Sequence, residues 1–545
     1  MLMREKIAQQ VLAAVGSLGI KPTDEQKAKI TVTYPDFKLG DYSSNAALIL
    51  SREAKLKPLD LANKIVGKLD KGMFEKADAV APGFINFKLI LPELQSTTYN
   101  LQPKTEGKIL LEYFQPNIAK PLHIGHLETA IIGDTIKRQL LYMGKTVESD
   151  THMGDWGTQF GYLILAYKKF GEVNDKLYAQ LNADDSQKEA AKHEFVKLEQ
   201  GDVENRKIWQ QLVEASMKEF LKINDLMDIL RFEHHWPESF YEDKMPVVLE
   251  DLKQKKLLVE SQGAQIVDLE QEKLGVAIIV KSDGGTTYLL RDLATFLFVK
   301  KEGFTKHLYV VDNRQSLHYK QLFSILKSMG KFEENEGIHI DYGFISFKGQ
   351  ALSTRKGNMV LAQDVIAQAE EKVSKIIAEK NPDLKNKQEV IKAVTKGALK
   401  YFILKHNRHS DIEFDWNEVL DFEGDSGPYL QYAYARMASI LRKAGNLESG
   451  IWNLESITPT ERQILFQSSI LSEIVSDATK DYLPNILANY LYGFAKLLNK
   501  FYHESPVTQE KDEKVRNFRL ALVSNAKATL GKGLDLLGIK ALEEM

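Results

Sequence analysis

EYFQPNIAKPLHIGHLETAIIGD, residues 112–134, is the stretch on which the reading of the fold turns. It overlaps the apolar run KILLEYF, a strand by composition, and passes directly into a helix-periodic segment from Gly125. A turn from a parallel strand into a helix brings backbone N–H groups and the positive end of the helix dipole to the carboxyl edge of a sheet. Anions bind there. Into that turn the chain puts His123, Gly125 and His126, with Lys120 three residues ahead. Gly125 lets a ligand approach the backbone, and two imidazoles with an ammonium can donate to phosphate oxygens as charge moves onto them. A metal site is the other use of two histidines, but no carboxylate or third imidazole stands at helical spacing to complete one.

Outward from this turn, GKTVESD, VAIIVK, TTYLL and KHLYVV continue an alternation of short apolar runs with helical segments, which predicts an α/β fold with a parallel sheet. Three regions are expected in 545 residues: a small α/β domain over 1–104, a catalytic domain over 105–395 with a helical insertion at about 166–250, and a helical domain over 396–545. In the first region Ile85, Phe87 and Leu89 alternate as on one face of a strand. Hydrophobic content of 43% with 27% charged residues argues against wholesale disorder. No run reaches the roughly 20 apolar residues of a membrane helix, and the N-terminus reads as an amphipathic helix without a signal pattern. The chain has no cysteine, which excludes disulfides, thiolate zinc sites and a cysteine nucleophile, and fits a reducing cytoplasm. A net charge of −3 lends no support to nucleic-acid binding by itself, because a local patch and not the sum supplies that term.

His123-Ile124-Gly125-His126 resembles the HIGH signature of the class I aminoacyl-tRNA synthetases, and Pro116 to Pro121 with GDWGTQFG at 154–161 resembles the arginyl branch. Glu128 departs from the family, which more often carries a basic residue there. The resemblance implies a Rossmann-like catalytic domain that activates L-arginine with ATP and Mg²⁺ and transfers it to the 3′-terminal adenosine of tRNA(Arg), in protein synthesis. It implies no structural metal, a cytoplasmic monomer with no membrane partner, and arginine activation that waits on bound tRNA.

The class carries a second signature, KMSKS, and the corresponding stretch here is FKGQALSTRKGNMV, residues 347–360. Its two lysines fall on Ala351 and Thr354, so neither is present, and Arg355 and Lys356 follow immediately. In isolation this is a basic solvated loop. The resemblance assigns Lys120 and Lys356 to the leaving pyrophosphate with His123 and His126, and Gly125, His126, Gly154, Asp155 and Lys356 to ATP.

A guanidinium substrate demands carboxylates that can pair with its planar fork. GGTTYLLRDLATFLF, residues 284–298, offers Tyr288 and Asp292 at a strand-to-helix switch, where the arginyl family grips the guanidinium. Without that context Asp292 would read as a helix N-cap. Glu112 is a second carboxylate, and Tyr113 and Phe114 adjoin it. By resemblance Asn117 and His123 meet the carboxyl and amino ends of arginine and Gln315 its amino group.

In the helical region Tyr429, Tyr432 and Arg436 stand close to one helix face, with Gln431 and Tyr434 between them, as candidate tRNA contacts. A helical core with snorkelling ends is the plain alternative. GDYSSN, 40–45, and PGFINFKL, 82–89, resemble the family's N-terminal domain, which contacts the tRNA elbow. Rival functions are a class I synthetase for another amino acid, a small-molecule nucleotidylyltransferase, which leaves the helical third unexplained, and a non-catalytic RNA-binding relative.

Overall fold

The computed structural model describes residues 1–91, 107–172, 175–282, 284–347, 360–445 and 457–545. Its centre is a four-stranded parallel sheet in the order Gly337–Tyr342, Phe304–Asp312, Lys108–Glu112, Thr146–Asp150. Register aligns Glu112 with Tyr309 on one side and Asp150 on the other, so the carboxyl ends share one edge. The strand Lys108–Glu112 comes first in the chain yet lies inside the sheet, so strand order reverses beside it. Ligands bind in the crevice such a reversal opens.

The helix Ile124–Tyr142 leaves this edge and is buried along nearly its whole length. Its far end is held by the C-terminal region. Lys400 donates to the carbonyl of Gly538 at 2.7 Å and stands 3.9 Å from Asp134, whose carboxylate also accepts from Arg138 at 2.8 Å. Lys400 belongs to helix Lys387–Lys405, which runs through the domain boundary expected at 395.

Two runs depart from the expected alternation. VAIIVK is a strand, Gly275–Val280, but it closes an antiparallel meander with Val259–Ser261 and Ala264–Leu269 and does not join the parallel sheet. Its pattern of alternate burial suits either sheet type, and the short turns between the three strands permit only the antiparallel one. TTYLL is not a strand: Thr287 caps the helix Tyr288–Lys301, so Tyr288 and Asp292 lie one turn apart on a helix and Asp292 is not its cap.

The N-terminal region is a four-stranded antiparallel sheet on which Ile85, Phe87 and Leu89 are all buried. GDYSSN is more than a turn. Gly40 has φ +144° and a Cβ there would lie 2.8 Å from the carbonyl oxygen of Phe87, so only glycine fits that crossing. Asp41 then pairs with Arg462 at 2.7 Å, while Glu473 accepts from Tyr34 at 2.7 Å and Tyr42 at 3.2 Å, which pins this sheet to the C-terminal helices. Among the described residues no helix is long and apolar enough to cross a membrane.

Candidate active site

His123 is the N-cap of the helix Ile124–Tyr142, and the two histidines cap it reciprocally. The Nδ1 of His123 accepts from Gly125 N–H at 3.1 Å, and the Nδ1 of His126 accepts from His123 N–H at 3.2 Å. With Nδ1 committed as acceptor, each neutral ring carries its proton on Nε2, free to donate. Burial pushes the His126 pKa down to about 3, with His123 and Lys120 adding to the effect. Burial also lowers that of His123, helped by Arg314 and Lys120. The pair is therefore neutral before an anion arrives, and each ring presents a donor at the positive end of a helix. A Cβ on Gly125 would press on the His123 ring at 3.1 Å. The loop that delivers them holds two non-glycine residues in left-handed conformation, Phe114 at φ +61° and Ala119 at +59°.

These histidines line a cleft of about 530 Å³ with Asn117, Gly125 and Gln315. Close by, at the sheet edge, Glu112 and Asp292 stand on either side of His152. Its Nδ1 lies 4.0 Å from Glu112 and its Nε2 4.0 Å from Asp292. Glu112 also accepts from Gln115 at 2.8 Å and meets His307 Nε2 at 3.0 Å. Burial raises the pKa of Glu112 to about 7; His152 opposes this and Asp292 adds to it. Burial pushes Asp292 upward too, but the hydrogen bond and charge of His318 outweigh it and hold Asp292 below the ordinary carboxylate range. Tyr288, one helical turn before Asp292, is 57% exposed with the Arg291 guanidinium 5.6 Å from its ring.

His152, His318 and His307 were not singled out by sequence. Each comes from a different segment, and only the first carried a usable signal, since it stands two residues ahead of GDWGTQFG. Glu112, Asp150 and His152 each bring one donor atom within 4.8 Å of the others, the one such group among the described residues. Two carboxylates and an imidazole suit a metal ion or an organic cation alike.

Four expected contacts are not made. Tyr113 and Phe114 are buried away from the cleft: Tyr113 takes the face opposite Glu112, and the left-handed backbone at Phe114 breaks the alternation, so both rings pack against Phe232. Tyr113 packs beneath Gly133, where a Cβ would meet its ring at 2.2 Å, and Phe114 packs against Phe220 and Phe232. Gly154 and Asp155 lie behind Asn117 and do not line the cleft. Gly154 bridges to Asn117 through the backbone, and Asp155 accepts from the Ser239 backbone at 2.8 Å and its hydroxyl at 2.6 Å. Gly154 holds Asn117 in place, and Asp155 ties this turn to Ser239. Lys120 is exposed beside the histidines, and Lys356 lies outside the described residues.

In the helix Gly427–Ala444, Tyr429, Tyr432 and Arg436 line a groove of about 570 Å³ with Phe422, Asn499 and Met545. The Arg436 guanidinium lies 4.7 Å from the ring of Tyr432 and 4.7 Å from that of Tyr502. Gln431 is 0% exposed and donates to the carbonyls of Ala393 and Lys540, so it is closed to RNA. Tyr434 bonds Glu543 at 3.0 Å and is turned from the groove. At about 100° per residue, positions 431 and 434 point away from the face that 429, 432 and 436 share.

For a base titrating near neutrality the consequence is measurable. If Glu112 must ionise to pair with a cation, binding of L-arginine weakens below its pKa of about 7. KM for arginine is expected to rise about tenfold per pH unit on the acid side and to level off above it. Glu112→Gln should weaken arginine binding and flatten that dependence; an unchanged slope in the variant would assign the titration to another group.

The family of class I (R) tRNA synthetase catalytic domains matches residues 90–416, that of arginyl-tRNA synthetase N-terminal domains 2–89, and that of DALR anticodon-binding domains 430–545. The arginine–tRNA ligase of Ligilactobacillus salivarius is 39% identical over 99% of both chains, and that of Lactococcus lactis subsp. cremoris SK11 is 37% identical over 99% of this chain and 100% of its own. Among solved structures, the arginyl-tRNA synthetase of Thermus thermophilus superposes over 100% of both chains with a TM-score of 0.85 at 27% identity. That of Plasmodium falciparum covers 100% of this chain and 99% of its own, with a TM-score of 0.82 at 25% identity.

Proposed function

The chain belongs to the class I arginyl-tRNA synthetases, and from that premise we propose how its residues divide the charging of tRNA(Arg) with L-arginine. The observation that carries the division is one continuous sheet edge that sets two neutral imidazole donors at a helix N-terminus beside the carboxylates Glu112 and Asp292. One end suits phosphates and the other suits a guanidinium.

Arginine lies with its guanidinium on Asp292 and Glu112 under the Tyr288 ring, and with its amino and carboxyl ends at Gln315, Asn117 and His123. Its carboxylate attacks the α-phosphorus of ATP. The bond from that phosphorus to the bridging oxygen breaks, and pyrophosphate leaves across His123, His126, Gly125, Lys120 and Lys356. The enzyme supplies position and charge stabilisation, with no covalent intermediate of its own. A hydroxyl of the tRNA terminal adenosine then takes the arginyl group, the 2′ one by class resemblance, and AMP is released. Of the two carboxyl groups in the described lining, Asp312 is paired with Arg314 and burial drives Glu128 toward its neutral form, so Mg²⁺ enters held by the phosphates, as part of the substrate.

The groove bearing Tyr429, Tyr432 and Arg436 is the candidate receptor for anticodon bases, since aromatic rings with a stacked guanidinium accept unpaired bases. The N-terminal sheet is assigned to the tRNA body. A cytoplasmic location suits a chain that carries no cysteine, and a monomer is the assembly assigned by family resemblance.

Charging of unfractionated tRNA with each standard amino acid tests the proposal: arginine alone should become tRNA-bound, and stable charging with any other would refute it. Lys120 has no ion-pair partner among the described residues and is the cation nearest both histidines in sequence. With both signature lysines replaced, Lys120→Ala is expected to slow arginine activation at least about tenfold, read as pyrophosphate exchange at saturating substrates. Wild-type turnover would leave the role to another cation.

A further inference from the structure

Glu128 stands on the first turns of the helix Ile124–Tyr142, is 2% exposed, and lines the same cleft as His123 and His126. Among the described residues its carboxyl makes no hydrogen bond and no ion pair. A buried carboxyl is expected to have a partner, and the cleft is the side on which this one is open.

The rest of the lining narrows what that partner is. His123, Gly125 and His126 form the phosphate end, and Asn117 and Gln315 serve the amino acid. What remains for the nucleoside is the end walled by Thr129, Tyr342, Phe344 and Ile345, where Glu128 stands. We propose that Glu128 reads the base of ATP, its carboxyl O–H donating to N1 of adenine and its carbonyl oxygen accepting from the N6 amine. The proposal rests on the reading of this cleft as the ATP site. The surrounding charges favour the neutral acid that this pairing needs. Burial drives the Glu128 pKa well up, Asp312 and Asp411 add to it, and only Arg314 opposes. Arg314 is itself drawn off by a two-point pair with Asp312, at 3.0 and 2.7 Å. Glutamine has the shape and the donor–acceptor pattern of a protonated glutamate. It should therefore be able to replace Glu128.

Direct nucleotide binding to the full chain, by calorimetry with ATP, 1-deaza-ATP and purine riboside triphosphate, tests this without requiring turnover. The last two lack the N1 acceptor and the N6 amine respectively. In the wild type both should bind about tenfold more weakly than ATP. In Glu128→Ala, ATP should weaken by about tenfold and the preference over both analogues should shrink below about twofold. Glu128→Gln should keep the wild-type preference, and arginine binding should be unchanged in both variants, which guards against misfolding. The proposal is overturned if the alanine variant keeps its preference for ATP, or if the glutamine variant loses it. Absent exchange activity in the wild type would instead count against the synthetase reading, which this binding comparison leaves separate.

Discussion

Asp292→Asn is expected to lower kcat/KM for arginine by about a thousandfold while leaving the KM for ATP within about twofold. The carboxylate stands 4.0 Å from His152 and is held below its ordinary pKa by His318 despite burial, so it is charged at neutral pH and available to a guanidinium. Each charge-assisted hydrogen bond is worth about 1.5–3 kcal/mol, and a bidentate pair contributes two. Asparagine keeps the volume but turns an amide donor toward a ligand that has only donors. It also leaves His318 facing a neutral group. His123 and His126, the proposed phosphate donors, belong to a separate helix and its cap, which is why ATP affinity is expected to be spared. Pyrophosphate exchange at varied arginine, with tRNA saturating, is the measurement, and a loss of less than tenfold would remove Asp292 from the arginine pocket.

His126→Ala is expected to lower the rate of activation by about 10²–10³ with little change in arginine KM. Its Nδ1 is engaged by the His123 backbone and its ring is neutral, so Nε2–H is a fixed donor whose worth grows as charge gathers on the departing pyrophosphate. The same substitution removes a helix-capping bond, which costs about 0.5–2 kcal/mol of stability. Thermal melting separates the two effects. A small shift in Tm with a large loss of kcat supports the donor role, while a collapse of the fold in proportion to the lost activity would make His126 structural.

The part of this site that was legible in advance is local. A strand, a turn with His123, Gly125 and His126, and a helix follow one another within a few residues, so their chemistry and their placement come together. Glu112 stood out as a carboxylate at the end of the strand before the turn, and Asp292 through the family's Tyr-x-x-x-Asp pattern, which lies on the helix Tyr288–Lys301. Their spatial neighbours were not. His152 and His318 reach the pocket from the end of the strand Thr146–Asp150 and from the helix Ser316–Ser328, and no spacing rule links them.

Other misreadings have equally specific causes. Tyr113 and Phe114 adjoin Glu112 in sequence, but the left-handed backbone at Phe114 ends the strand alternation and both rings pack against Phe232. VAIIVK has the residues of a strand, and composition says nothing of its partner's direction. Gln431 was grouped with the tyrosines around it, but helical rotation turns it into the core. Gly154 and Asp155 belong to a stretch with a strong family likeness, and in this structure Gly154 bridges to Asn117 while Asp155 accepts from Ser239. Glu128 was visible as a departure, and its use followed only from its burial beside an open cleft.

ATP–pyrophosphate exchange with each standard amino acid, with and without tRNA, tests the central claim most directly. Exchange with arginine alone, and only when tRNA is present, is the predicted result. Exchange with another amino acid would keep the phosphate site and contradict the carboxylate pocket, and no exchange with any of them would contradict catalysis itself.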